Sequence, residues 1–259
     1  MNSILAVVCA RAGSKGVKGK NVRDFLRFPI GYYTLSAYDL FCERYAADYE
    51  GAVLLAVNTD SAELTEQFSR TTIEKIFIPR KEKLSGDRVS KIDVIRDTLA
   101  ETEKKFSMEF DIIVDFDLTS PLRKPGDIKN IIDTLIMSPI ADIALSMTSA
   151  RRNPYFNQLV KGTSGFLTTA IKSNFIARQQ APEVFDANAS LYAYRPEYLK
   201  NDTGIFLNAK LVGSMMEDTG VLDIDSERDF RLMEVIARYL YETEPAYGEV
   251  REHIERILI

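Results

Sequence analysis

The sequence predicts an α/β protein with a doubly wound, mostly parallel sheet and a small inserted subdomain. Short apolar runs alternate with longer helical patterns along most of the chain, as in a sheet whose strands are joined by crossover helices. Polar or charged loops follow several of these runs directly, and such sheets bind ligands at the carboxyl ends of their strands. A length of 259 residues suits a single domain of this class.

Composition excludes several classes of function. Hydrophobic residues make up 46% and charged residues 27% of the chain, as in ordinary globular proteins, and a net charge of −5 argues against nucleic-acid binding. No apolar stretch could span a membrane, and no signal peptide is recognisable. Cys9 and Cys42 give neither a disulfide framework nor a metal-ligand spacing. We therefore expect a cytoplasmic protein with no membrane or nucleic-acid partner.

The chain contains a single histidine, His253, in the last predicted helix. A histidine-based triad and a multi-histidine zinc site cannot be assembled from one such residue. We interpret His253 as a surface residue. Catalysis is then expected to depend on carboxylates, lysine, arginine and a metal ion.

The predicted elements of the first part of the chain follow its apolar periodicity. Strands are predicted at Ile4–Val8, 52–57, Ile73–Ile78, 110–116 and Ile140–Met147. Helices are predicted at Pro29–Tyr45, 61–70, 89–106 and Pro125–Met137. The loops at 10–21, 58–61, 79–88 and 117–123 follow strands, so they should converge at one edge of the sheet.

The periodicity weakens between about residues 150 and 187, which we interpret as an ordered insertion, since long structureless loops are uncommon within a domain. After it, strands are predicted at Ser190–Tyr194, Ile205–Val212 and Val221–Ile224, and helices at Ser226–Thr243 and Tyr247–Leu258.

The loop 9–21 carries the strongest functional signal of the chain. It combines three glycines with Arg11 and three lysines directly after an apolar strand, which favours close approach of backbone N–H groups to a polyanion. The P-loop pattern fails because Asn21 follows Gly19-Lys20, and the glycine spacing does not fit a dinucleotide fingerprint. The sequence therefore predicts a triphosphate cradle of another type, the alternative being a solvated basic turn.

A second signal is the pair Asp223 and Asp225. Two carboxylates at this spacing on an extended segment point to one side and repel each other unless a cation neutralises them. Hard oxygen ligands beside a phosphate substrate favour Mg²⁺ (or Mn²⁺). The alternative is helix capping, because Asp225 and Ser226 precede Asp229 at the start of an apolar helix. Both roles are compatible.

These motifs together resemble those of the CMP-sialic acid synthetases, the acylneuraminate cytidylyltransferases. The matching segments are the ARAGSKGVKGKN string at 10–21, TSPLR at 119–123, NASLY at 188–192, the serine-containing loop at 84–90 and the aspartate pair. They occur in the same order over about residues 4–230. The resemblance implies a Rossmann-like nucleotidyltransferase fold and transfer of CMP from CTP to a nine-carbon 2-keto-3-deoxy acid, with release of pyrophosphate.

The resemblance also implies roles for individual residues. Catalysis would involve Arg11, Lys20 and Asp225. Nucleotide contacts would come from Arg11, Ala12, Gly13, Ser14, Lys15, Lys20, Asn21, Ser85 and Ser90, with Ser85 or Ser90 also open to a sugar contact. Sugar contacts would come from Asp117, Arg123 and Asn188, and metal ligands would be Asp223 and Asp225. A homodimer is implied, with the 150–187 insertion as a dimerisation segment.

One departure from the family bears on the substrate. Asp117 and Leu118 occupy positions where the family has Gln and Pro, so hydrogen bonding and charge toward the sugar are altered. This favours a di-N-acetylated, legionaminic-type acid over sialic acid. The alternatives are an eight-carbon Kdo-type substrate and a non-catalytic nucleotide-sugar-binding protein. Arg151 and Arg152 would either reach a second subunit's site or form surface salt bridges.

Overall fold

A computed structural model describes residues 2–13, 16–86, 89–201, 208–219 and 224–259. The strands of this part of the chain are β1 (Ile4–Ala10), β2 (Asp24–Phe25), β3 (Phe28–Pro29), β4 (Val53–Thr59), β5 (Ile76–Pro79), β6 (Ile112–Phe116), β7 (Ile143–Ser149), β8 (Leu159–Lys161), β9 (Leu167–Thr169), β10 (Phe185–Tyr194) and β11 (Leu211–Met215). The α-helices are α1 (Ile30–Tyr45), α2 (Ala62–Ser69), α3 (Lys91–Phe106), α4 (Pro125–Ile136), α5 (Pro196–Lys200), α6 (Glu227–Thr243) and α7 (Pro245–Ile257). None of the described helices is long and apolar enough to cross a bilayer.

Seven strands form the main sheet in the order β11-β7-β10-β6-β1-β4-β5. The pairs β1–β4, β1–β6, β4–β5 and β7–β11 are parallel, whereas β10 runs antiparallel to both of its neighbours, β6 and β7. The mostly parallel sheet predicted from the sequence is therefore confirmed.

Helices cover both faces of this sheet. In β1, Ile4, Ala6 and Val8 belong to the core that includes α1, α4 and α7. Leu5 and Val7 belong to a second core, on the side of α3 and α5. This two-sided burial explains why the central strand is a continuous apolar run.

Two strand boundaries differ from those predicted. The strand expected from Ile73 begins only at Ile76, because the backbone N–H of Thr72 bonds to the carbonyl of Ile257 at the C-terminus instead. The strand expected at Ser190 already begins at Phe185 and bulges between Ala187 and Tyr192. The predicted strands at 205–212 and 221–224 fall partly outside the described residues, and β11 lies at Leu211–Met215.

The segment at 150–187 carries the small hairpin β8–β9 and a short 3₁₀ turn at Arg178–Gln180. Most of its side chains are exposed, including Phe166 and Ile176 at 77% and 93%. It leaves the main sheet after β7 and rejoins it in β10.

The prediction that His253 is a surface residue is wrong. Its side chain is 3% exposed between α7 and α1, and Nε2 lies 2.8 Å from Oδ2 of Asp39. The apolar residues that flank His253 in α7 form the buried face of that helix and carry the imidazole inward.

Candidate active site

A pocket of about 420 Å³ lies at the carboxyl edge of the sheet. The first loop, the loop after β5, the start of α3, the turn after β6 and the segment before α6 all contribute to its wall. Its polar lining residues are Arg11, Lys20, Asn21, Arg80, Lys91, Asp117, Thr119 and Asp225. Three of the four loops predicted to converge, 10–21, 79–88 and 117–123, therefore line one cavity, and the fourth, 58–61, does not line it but contacts the first loop through Asp60.

The first loop is held in place from two sides. The backbone N–H of Ala12 donates to Oδ1 of Asp60 at 2.6 Å, and Nδ2 of Asn21 donates to the carbonyl of Arg11 at 3.1 Å. Partial burial raises the pKa of Asp60, but the hydrogen bonds from Ala12 and Ser85 outweigh it and lower that pKa below the ordinary value. Asp60 is thus an ionised acceptor that fixes the start of the loop next to β4.

Gly16 brings the first loop against the segment that precedes α6. A Cβ atom at Gly16 would lie 2.4 Å from the carbonyl oxygen of Asp225, a distance that no side chain can occupy. From the same loop, Nζ of Lys20 donates to the carbonyl of Ile224 at 2.6 Å. These two contacts join residues more than 200 positions apart in the chain and set Asp225 beside the cradle.

Asp225 takes part in the cap of α6 and also lines the pocket. Ser226 caps α6, and Oδ2 of Asp229 accepts from the Ser226 N–H at 2.8 Å and from the Asp225 N–H at 3.2 Å. The cap uses the backbone N–H of Asp225. The residue itself is exposed and lines the pocket. A carboxylate in this position is the hard oxygen ligand that Mg²⁺ prefers. Asp223 lies outside the described residues.

Several cations surround the pocket. Nη1 of Arg11 lies 3.4 Å from the Ser85 carbonyl, and Nε of Arg80 donates to Oδ1 of Asn58 at 3.0 Å. Burial lowers the pKa of Arg80, and nearby Arg11 acts in the same direction. Because an arginine stays protonated at neutral pH even so, two guanidinium groups and Lys20 create a positive field that favours a polyphosphate.

Lys91 and Asp117 line the pocket and form a cluster of three charged side chains with Asp115, which does not line it. Nζ of Lys91 lies 2.7 Å from Oδ2 of Asp115 and 3.2 Å from Oδ2 of Asp117. Burial lowers the pKa of Lys91, but the two carboxylates more than offset it and hold that pKa well above its usual value. Asp115 is 1% exposed, and this burial raises the pKa of its carboxyl, whereas the ammonium of Lys91 opposes the shift.

Asp117 is a fixed, ionised acceptor. Its Oδ1 accepts from the backbone N–H of Thr119 at 2.8 Å and from the Thr119 hydroxyl at 2.6 Å. Burial would raise the pKa of Asp117, but Lys91 and the Thr119 donors hold it well below its usual range. A carboxylate with such partners stays charged at any pH at which the protein is assayed.

Arg123 is buried behind the pocket wall at 1% exposure. Its guanidinium donates to the Ser190 hydroxyl at 3.1 Å, to the Ser190 carbonyl at 2.7 Å and to the Asp117 carbonyl at 3.0 Å. These bonds tie the turn after β6 to β10. Arg123 therefore holds the backbone that carries Asp117, and it is not among the residues that line the pocket.

Asn188 lies in the bulge of β10 at 9% exposure. Its Oδ1 accepts from the Ser146 hydroxyl and, at 3.2 Å, from the Ser190 N–H, while Nδ2 contacts the sulfur of Met216 at 3.5 Å. Ala189 beside it has a left-handed φ of 53°. The amide thus fixes the irregular backbone at this point, and it too is absent from the pocket lining.

The remaining predicted site residues are distributed as follows. Ser85 lies beside Arg11, and Ser90 caps α3 by accepting from the Ile92 N–H at 3.2 Å. Ser14 and Lys15 lie outside the described residues. Arg151 is exposed and pairs with Asp218 at 2.7 Å, and Arg152 is exposed beside it.

Sequence reasoning missed Asp60, Arg80, Lys91 and Asp115 as parts of this site. Each has a positional signal, because Asp60 and Arg80 directly follow strands, Asp115 precedes Asp117 by two residues, and Lys91 opens a helix. Such positions become informative only when the order of the strands is known.

Comparison with known proteins agrees with the fold and the site. A family described as "Cytidylyltransferase" matches residues 5–211. The post-translational flagellin modification protein B of Campylobacter coli is 34% identical over 239 residues, which cover 92% of this chain and 96% of that protein. The CMP-N,N'-diacetyllegionaminic acid synthase of Campylobacter jejuni is 34% identical over 237 residues, with coverage of 91% and 95%.

Among solved structures, a CMP:2-keto-3-deoxy-manno-octonic acid synthetase complexed with CTP superposes with a TM-score of 0.61 at 16% identity, covering 93% of this chain and all of that one. At this identity the likeness concerns the fold alone. The family match and the two relatives extend over most of the chain and confirm the resemblance seen in its motifs. The chain belongs to the cytidylyltransferase family and is a nucleotidyltransferase.

Proposed function

We propose that this protein transfers CMP from CTP to the anomeric hydroxyl of a nine-carbon 2-keto-3-deoxy acid and releases pyrophosphate. The observation that carries the proposal is the closure of the first loop against the segment before α6. Through Gly16 and Lys20 it brings a cationic, glycine-containing cradle and the Asp225 carboxylate to one pocket. A sugar-binding protein without catalysis would not require that carboxylate beside its phosphate-binding loop.

Each part of the pocket has a task in such a transfer. In-line phosphoryl transfer depends mainly on positioning and on neutralisation of charge. Arg11, Lys20 and Arg80 line the pocket and supply positive charge for the triphosphate. Asn21 holds the carbonyl of Arg11 and so orients the loop.

A divalent metal is part of the proposal. Asp225 would hold Mg²⁺ or Mn²⁺ together with Asp223. The exposed Asp225 carboxylate, which its helix cap does not use, fits a cation that takes few protein ligands beside a phosphate. When bound, the metal would neutralise phosphate oxygens and acidify the attacking hydroxyl.

The acid is proposed to be of the legionaminic type. Asp117 is an ionised acceptor on the pocket wall and suits a substituent that donates a hydrogen bond. A relative that is 34% identical over most of the chain is named for N,N'-diacetyllegionaminic acid. Lys91 pairs with Asp117 and offsets part of its negative charge.

We propose a homodimer as the active form, in the cytoplasm where CTP is made. The 150–187 insertion supports this proposal because it exposes the large apolar side chains of Leu159, Phe166, Leu167 and Ile176, which a protein interface would cover. Arg151 and Arg152 lie exposed at its start and would serve a neighbouring subunit's site.

The proposed reaction is tested by pyrophosphate release from CTP and Mg²⁺ with N-acetylneuraminic acid, di-N-acetyllegionaminic acid and Kdo in parallel. We expect the highest kcat/KM with the di-N-acetylated acid. Preference for Kdo would contradict the assignment of a nine-carbon acid. Absence of release with all three acids, in a protein that still binds CTP, would contradict the proposed reaction.

The Asp225→Asn substitution tests the metal assignment. We expect kcat to fall by about 10²-fold or more, since a lost metal ligand removes charge neutralisation in the transition state, with an unchanged thermal unfolding temperature. Asp24→Asn, which removes an exposed carboxylate outside the pocket, is the control and should retain full activity. An Asp225→Asn protein of normal activity at saturating Mg²⁺ would remove Asp225 from the metal site.

A further inference from the structure

The cluster of Lys91, Asp115 and Asp117 is not explained by CTP binding, metal binding or the start of the first loop. We propose, on the basis of the function proposed above, that Lys91 is a specificity-determining residue. Held by Asp115, it would form with Asp117 a donor–acceptor pair that recognises a neutral polar substituent of the acid, an acylamino group in preference to a hydroxyl, and not its carboxylate.

The ammonium group of Lys91 is held at the start of α3 by the carboxylates of Asp115 and Asp117. Lys91 is the first residue of α3, where the positive end of the helix dipole disfavours a cation. The contacts of 2.7 Å and 3.2 Å to Asp115 and Asp117 compensate for this cost. A lysine in this position is therefore a fixed part of the pocket wall, unlike the long flexible lysines of the surface.

Asp115 serves Lys91 and makes no contact with the pocket. It lies within β6 at 1% exposure, with Lys91 as its ionic partner, and does not line the cavity. Replacing a buried ion pair with apolar residues is often neutral or stabilising, so stability alone does not account for a carboxylate in a central strand. Its effect is to hold the ammonium at one place on the wall.

Counting donors and acceptors shows what the pair can still bind. The ammonium of Lys91 has three N–H groups, two of which face Asp115 and Asp117, and its side chain is 39% exposed beside the cavity. The ionised carboxylate of Asp117 has about four acceptor positions, of which Thr119 and Lys91 use three. One donor and one acceptor therefore remain side by side.

The local charge excludes the carboxylate of the substrate from this place. Asp117 lines the cavity as an ionised carboxylate, and a substrate carboxylate placed beside it would meet a like charge at close range, which repels it. The anionic groups of the substrates are attracted instead to the cations Arg11, Lys20 and Arg80, which also line the pocket. A neutral substituent that both donates and accepts is the group that fits between Lys91 and Asp117.

The test compares two acids, because di-N-acetyllegionaminic acid carries an acylamino group where N-acetylneuraminic acid carries a hydroxyl. Lys91→Met alone would leave Asp115 buried without a cation, so Lys91→Met/Asp115→Asn is the principal variant. We expect its KM for the preferred acid to rise about ten- to hundredfold, as for loss of hydrogen bonds to charged groups. The KM for CTP should change by less than about threefold.

The decisive readout is the ratio of kcat/KM between the two acids, which we expect to fall at least about fivefold toward equality. A preserved ratio, or an equal rise in the KM for CTP, would overturn the inference and leave a structural role only. Lys91→Arg keeps the charge but displaces the donors, and it provides the same comparison if the double variant fails to fold. Lys129→Met, which removes a lysine that pairs with Asp48 and Asp133 outside the pocket, is the control.

Failure of this inference is distinguishable from failure of the proposed function. If the unmodified protein releases no pyrophosphate with any acid, both are overturned together. If the unmodified protein is active and the variant has the same selectivity between the acids, the role of Lys91 is overturned and the proposed function is not.

Discussion

At the scale of single residues, the site depends on one position without a side chain. Gly16 packs against the peptide of Asp225, and its importance lies in the space that a Cβ atom would fill. The same loop needs left-handed backbone at Gly13 and Gly19, with φ of 78° and 64°. Composition predicted a cradle here, but only the structure identifies which glycine controls the placement of the carboxylate.

Gly16→Ala should displace the segment before α6. The new Cβ would lie 2.4 Å from the Asp225 carbonyl oxygen, and neither backbone can yield without moving the carboxylate. We expect kcat/KM to fall about 10²-fold, the cost of a misplacement of about 1 Å. Steady-state pyrophosphate assays would measure it.

Gly126→Ala is the matched control, because a Cβ there meets nothing within 4 Å in the first turn of α4. Its activity should equal that of the unmodified protein. If Gly16→Ala is as active as this control, the contact with Asp225 does not position the carboxylate.

At the scale of elements, the turn between β6 and α4 carries Asp117 and is held from behind. Arg123 connects this turn to β10 through its bonds to Ser190 and to the Asp117 carbonyl. A cation–π contact with Phe116, 5.1 Å from the ring centre, adds to them. The TSPLR segment is therefore a rigid support as well as a family motif.

Arg123→Met should destabilise the protein by about 2–5 kcal/mol, because it leaves several buried acceptors without donors. Chemical denaturation would measure the change in the free energy of unfolding. Arg27→Met removes an exposed arginine paired with Glu255 and should cost less than about 1 kcal/mol. Equal effects for the two variants would mean that the bonds of Arg123 contribute little to the fold.

Much of the element order was predictable because it rests on local patterns. The apolar run of β1 and the amphipathic periodicity of α3 and α4 are properties of contiguous residues. The direction of β10 was not predictable, since strand pairing depends on partners 36 to 81 residues away. Lys91 and Asp115 escaped notice for the same reason, because a salt bridge between a helix start and a strand has no signature in either segment.

At the scale of the whole molecule, the hairpin β8–β9 and its flanking residues project apolar surface away from the main sheet. Phe166 and Ile176 are 77% and 93% exposed, which is unfavourable for an isolated chain. The sequence predicted an ordered insertion at 150–187, and its role in assembly stays a prediction.

Phe166→Glu/Ile176→Glu should convert the proposed dimer into a monomer, because two charges cannot be buried in an apolar interface without partners. Light scattering after size-exclusion chromatography would measure the mass. Ile140→Glu replaces a 77% exposed isoleucine outside the insertion and should leave the mass unchanged. A monomeric unmodified protein, or a variant that stays dimeric, would contradict the proposed interface.

The antiparallel strand β10 also determines the order in which the strands of the main sheet can pair while the chain is being synthesised. β6 and β7 precede it in the chain but lie on either side of it, so a growing chain that ends before Phe185 has two unpaired edges facing a gap. Strands β1, β4, β5 and β6 can pair earlier, since their partners are already made. Because the pocket needs both the turn held by Ser190 and the carbonyl of Ile224, the emerging protein acquires its binding site only after Ile224 has been made.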